Sequence, residues 1–84
     1  MEEFMRKFAQ LNGVNAKVTL NHCLFGQQVF YCDELQTVNY DNRIGVIIKN
    51  QEKFIDKHNV KVAEIRNGIY VVSDGRFTII IEKI

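Results

Sequence analysis

Two turn signals close together set the tightest limits on this chain. Asn67-Gly68 and Asp74-Gly75 interrupt runs of β-branched and aromatic residues. Both dipeptides tolerate positive φ, the condition for two-residue hairpins whose twist matches the flanking strands. Residues 60–66, 69–73 and 76–82 therefore read as three consecutive antiparallel strands, a β-meander. The last carries Phe77, Ile79 and Ile81 on one face and Thr78, Ile80 and Glu82 on the other. Ile80 makes it apolar on both sides, so it is either central in its sheet or covered by a second subunit. An exposed terminal strand of this kind would aggregate. Phe77, Ile79, Ile80 and Ile81 are accordingly candidate oligomer contacts, and a homo-oligomer is expected.

The same reading extends upstream. Val14, Ala16, Val18 and Leu20 alternate with polar residues, the period of a half-buried strand. Residues 21–27 form a loop around Gly26. Residues 28–32 and 35–40 are two strands, or one strand bulged at Asp33-Glu34. Asp41-Asn42 offers a hairpin turn onto 43–49, which places Ile44, Val46 and Ile48 on one face. Asn50-Gln51 is read as a further turn onto a strand over 52–56, with a helical turn over 51–57 as the alternative. Lys57-His58-Asn59 is a polar turn.

Ahead of the strands, residues 2–11 read as a helix. Phe4, Phe8 and Leu11 share one helical face. Glu2–Arg6 and Glu3–Lys7 are i,i+4 pairs in the favourable order, and the acids sit in the first turn. Asn12-Gly13 supplies the C-terminal stop. Docked apolar-face-down, such a helix plugs one side of a sheet.

At 84 residues the chain forms one domain, 1–84, with the helix at 2–11 and β-structure over 14–82. The expected fold is mainly β: a short N-terminal α-helix followed by a five- to seven-stranded antiparallel small barrel or bent sheet.

Charge argues against a nucleic-acid surface of the usual kind. Eleven basic and ten acidic residues give a net charge of +1, with the signs interspersed. Phosphate neutralisation needs a basic stripe, and none is visible. Near-zero net charge also lowers the barrier to self-association. Glu2 and Glu3 and the lack of a long apolar run disfavour a signal peptide or membrane span, so a cytoplasmic protein is expected. Cys23 and Cys32 then read as small apolar residues with free thiols; a disulfide between them would need a secreted setting. Ten Ile, eight Asn and seven Lys against three Ala and no Pro are the bias of AT-rich codons, which points to a low-GC bacterium or its phage.

Motifs for chemistry are absent. The single serine, Ser73, has no nucleophile-elbow context, and no phosphate-binding glycine loop occurs. His22 and His58 lie apart, each without a ligand-spaced partner. Neither a metal, nor a cofactor, nor an enzymatic activity is expected. Binding is better supported. Tyr31, Asp33, Asn39, Tyr40 and Arg43 gather aromatic, amide, carboxylate and guanidinium groups that can stack on and hydrogen-bond a base. The competing reading is a turn beside a core edge. Arg76 could pair with Asp74 or meet an anionic ligand.

The order of elements resembles that of the Sm-like small barrels, which share an SH3-like topology. Leu24-Phe25-Gly26-x-x-Val29 followed by Asp33 and Asn39 resembles the first Sm motif, and Val72-Ser73-Asp74-Gly75-x-x-Thr78-Ile79 the second. Asp74 stands where that family has the arginine of an Arg-Gly pair that helps build the RNA-binding ring interior. The resemblance implies rings built by pairing terminal strands. Two functions follow as expectations: a non-enzymatic oligomeric interaction module with a host protein partner, or a nucleotide- or RNA-binding barrel. In a phage the latter would sequester a host signal nucleotide.

Overall fold

A computed structural model describes residues 1–84. Helix α1 (Glu2–Ala9) precedes strands β1 (Ala16–His22), β2 (Gly26–Cys32), β3 (Gln36–Asn39), β4 (Arg43–Ile48), β5 (Gln51–Asp56), β6 (Val62–Arg66), β7 (Ile69–Ser73) and β8 (Phe77–Lys83). A 3₁₀ turn, Lys57–Asn59, links β5 to β6. All strand pairs are antiparallel. The mainly β, antiparallel fold with one N-terminal helix is as expected; of the small barrel or bent sheet anticipated, no sheet closes into a barrel, and the strands number eight, not five to seven. The eight strands form a five-stranded sheet, order β2-β1-β8-β7-β6, and a three-stranded sheet, order β3-β4-β5.

Two connections prevent closure. Between β2 and β3 the chain leaves the first sheet, with Glu34 at φ 53°. Residues 28–40 are therefore two strands in different sheets, and no ladder joins them. Between β5 and β6 the 3₁₀ turn returns the chain, held where Asp56 accepts the His58 N–H at 2.9 Å.

The meander is present, with its two turns built differently. Asn67 (φ 53°) and Gly68 (φ 77°) both take positive φ, the geometry of a tight two-residue hairpin. Asp74-Gly75 belongs to a wider loop held by side chains. The Asp74 carboxylate accepts the N–H groups of Arg76 at 2.8 Å and Phe77 at 2.7 Å, and Ser73 Oγ accepts that of Gly75 at 3.0 Å. Another tight turn falls at Lys49-Asn50, one residue before its expected place, with φ of 53° and 64°.

The last strand, β8, is central. It pairs with β1 on one edge and β7 on the other. Ile79 and Ile81 lie in the core at 0% exposure, while Ile80 stays half-buried on the outer face. Both edges of β8 are thus occupied, and it has none left for a second subunit. The core is completed by Ala16, Val18 and Leu20 of β1, Val72 and Tyr70 of β7, and Ile44, Val46 and Ile48 of β4.

Helix α1 ends at Ala9, two residues short of the expected stop, and Leu11 is buried from the following turn. Phe4 and Phe8 point into the core, with the Phe4 ring 6.2 Å from that of Tyr70. Because α1 packs on β3 and on β6, it bridges the two sheets along one side. The Glu3–Lys7 pair forms at 3.2 Å on its exposed face. No helix is long and apolar enough to cross a membrane.

Candidate functional site

The six residues expected to bind ligand are dispersed. Tyr31 is 72% exposed on β2, and Asp33 follows in the bend between the sheets. Asn39 ends β3, where its Nδ2 donates to the Met5 carbonyl at 3.2 Å. Its buried Oδ1 has no partner. Arg76 lies in the Asp74 loop, its carbonyl accepting the Cys23 N–H at 2.9 Å. Tyr31 and Asp33 share a groove, and Tyr40 and Arg43 are in contact: the guanidinium sits 4.5 Å from the Tyr40 ring centre and 5.6 Å from that of Phe54. Arg43 Nε donates to Glu52, and Nη1 donates to Asn42 Oδ1 at 3.2 Å. The Glu52 hydrogen bond pushes the Arg43 pKa further up. Its charge is therefore already matched by a carboxylate.

Opposite the helix, the sheets stay apart and leave a cleft of about 470 Å³. One wall is the end of the five-stranded sheet: Leu20 and His22 of β1, Gly26 and Gln28 of β2, and Phe77 of β8. The other is Glu52, Lys53 and Phe54 of β5, with Phe25 at the tip of the β1–β2 hairpin. Register explains the convergence. His22 pairs with Gly26 on one side and Phe77 on the other, so His22, Phe77 and Leu20 share the sheet's inner face. The His22 ring lies 4.7 Å from that of Phe25 and 6.2 Å from that of Phe77.

Polar groups complete the cleft. His22 Nδ1 accepts the Leu24 N–H at 3.0 Å, which assigns the ring proton to Nε2 and makes it a donor. Lys53 has no ion-pair partner, whereas Glu52 is paired with Arg43. Gln28 adds an amide. Three phenyl rings thus surround an imidazole N–H, an ammonium and an amide, with the one carboxylate already neutralised. Phe25 is 85% exposed and Phe54 49%, a large cost in apolar surface for residues that support no core.

A larger groove, of about 630 Å³, runs along β2 toward the β4–β5 turn. It holds Tyr31 and Asp33, and Lys49 Nζ lies 5.6 Å from the Phe30 ring centre.

Little here resembles a catalytic arrangement. Cys23 and Cys32 are free thiols, and no hydrogen bond joins either to His58. Burial, with Asp33 adding to it, pushes the Cys32 thiol pKa up, the wrong direction for a nucleophile. No three His, Cys, Asp or Glu side chains converge. No family model, curated protein or solved structure matches the chain.

Sequence reasoning missed His22, Phe25, Lys53 and Phe54 as a group. One signal was available: Leu24-Phe25-Gly26 places a large aromatic at a hairpin tip, where solvation favours polar residues. The approach of β5 to that tip is tertiary and has no local signature.

Proposed function

We propose that this protein is a non-enzymatic binding module whose cleft takes a small planar anion of the nucleotide class. The observation that carries this reading is the composition of the cleft: exposed Phe25 and Phe54 beside unpaired Lys53 and the His22 Nε2–H. Phenyl faces stack on a base without regard to its identity, at about 1–3 kcal/mol per stacked base. The lysine and imidazole N–H supply donors for a phosphate. A volume near 470 Å³ suits one nucleotide better than a polymer.

RNA is the weaker form of the reading. Asp74, standing where the Sm-like resemblance expects arginine, has its carboxylate committed to the loop N–H groups of Arg76 and Phe77. The Ile-, Asn- and Lys-rich composition fits a phage or its low-GC host, and there such a module would sequester a signal nucleotide.

Absorbance of the purified protein tests the proposal. With three Tyr and no Trp, the chain absorbs weakly at 280 nm, and a retained nucleotide dominates the spectrum. An elevated 260/280 ratio that disappears in Lys53→Glu is expected. A clean protein spectrum, together with no thermal shift from a nucleotide panel, would contradict it.

A further inference from the structure

Four strands end the two sheets, and they are protected unequally. The β3 edge is capped by the chain before β1: Gly13 N–H donates to the Leu35 carbonyl at 2.6 Å, Leu35 N–H to the Val14 carbonyl at 2.8 Å, and Thr37 N–H to Asn12 Oδ1 at 3.0 Å. Strands β5 and β6 carry charge, with Glu52, Lys53 and Asp56 on one and Glu64 and Arg66 on the other. Inward charges, prolines and bulges are how edges avoid pairing. The remaining edge, β2, reads Gly-Gln-Gln-Val-Phe-Tyr-Cys, has no charge, and pairs only with β1.

We infer that β2 pairs antiparallel with β2 of a second copy about a two-fold axis through Val29, joining two five-stranded sheets into one of ten. An antiparallel strand is its own complement under a two-fold axis, so the contact closes on itself. In this register Val29 faces Val29, Phe30 faces Gln28, and Tyr31 faces Gln27 of the second copy.

The rows this creates are compatible in charge and continuous in character. On the outer face, Val71, Ile80, Thr19 and Val29 lie side by side across β7, β8, β1 and β2. Pairing through Val29 continues that row into its own copy. The adjacent row places Lys17 and Tyr31 beside Gln27 and Asn21 of the second copy, so no like charges meet. On the inner face, Gln28 lines the cleft, and Phe30 of the second copy comes opposite it. None of this depends on the ligand reading, because the dimer forms without ligand.

Light scattering with engineered disulfides tests the pairing. Without ligand, a mass near twice 9.8 kDa is expected. Val29→Lys places two ammonium groups face to face and should weaken dimerisation at least tenfold. Val29→Glu serves as the second variant, setting two carboxylates face to face at a position 41% exposed. In a background with Cys23→Ser and Cys32→Ser, copper-phenanthroline oxidation should cross-link Val29→Cys and leave Gln27→Cys without a cross-link. A monomer at high micromolar concentration would overturn the inference and leave the edge to an extended segment of another protein. A dimer that survives both charged variants at 29, or that cross-links equally at 27, would overturn it too.

Discussion

The rings of His22 and Phe25 stand 4.7 Å apart, centroid to centroid, at the tip of the β1–β2 hairpin. That pairing holds an 85%-exposed phenylalanine at the mouth of the cleft instead of leaving it free in solvent. It separates binding from folding, because the ring supports no core residue. Phe25→Ala should change stability by no more than about 0.5 kcal/mol. Affinity for a nucleotide should fall about tenfold, the value of one lost stacking contact. Chemical denaturation and calorimetric titration of the same variant check both halves.

Phe8 gives the opposite result. It is 0% exposed within the cluster that joins α1 to both sheets. Phe8→Ala leaves a cavity and should cost about 3–5 kcal/mol. A domain of this size has a total of about 5–15 kcal/mol, so the variant should be largely unfolded near physiological temperature. Thermal melts followed by circular dichroism read this directly.

Gly45 is a steric necessity. A Cβ added there would overlap the Lys53 carbonyl oxygen and lie 2.6 Å from Phe54 Cα. Because both neighbours are backbone on the paired strand β5, they cannot move without opening the ladder. Gly45→Ala should destabilise by about 2–4 kcal/mol, and it should weaken ligand binding by displacing Phe54. Urea denaturation gives the first, and titration of the folded fraction the second.

Acid should act through Asp74. Burial alone would raise its carboxyl pKa, but the N–H groups of Phe77 and Arg76, with the Arg76 charge, outweigh that and hold it below the ordinary value. A depressed folded-state pKa contributes stability that is present above the unfolded value, about 3.9. It is lost as pH falls through the folded value. Urea midpoints measured at about pH 5 and about pH 3 should therefore drop further for the wild type than for Asp74→Asn. At neutral pH the variant should already be weaker by about 1 kcal/mol.

Local rules account for most of the fold that could be read in advance. The i, i+4, i+7 spacing of Phe4, Phe8 and Leu11 and the period-two pattern of Ala16, Val18 and Leu20 identified residues that are buried. Asn67-Gly68 marked a real hairpin because its φ preference is a property of the dipeptide. The Asp74 loop differed because a carboxylate can satisfy N–H groups that a tight turn would leave to the backbone. What escaped was tertiary. Nothing near Asp33-Glu34 reveals that the chain changes sheets there. Without that step, Tyr31, Asp33 and Tyr40 read as one cluster, and nothing places Phe25 and Phe54 on the same cleft.

Nuclear magnetic resonance titration of the ¹⁵N-labelled protein with a panel of nucleotides tests the central claim most directly. At least one nucleotide should shift the amides of His22, Phe25, Gln28, Lys53, Phe54 and Phe77, and those shifts should vanish in Lys53→Glu. Spectra unmoved by every nucleotide, or shifts confined to the Tyr31 and Asp33 groove, would contradict it.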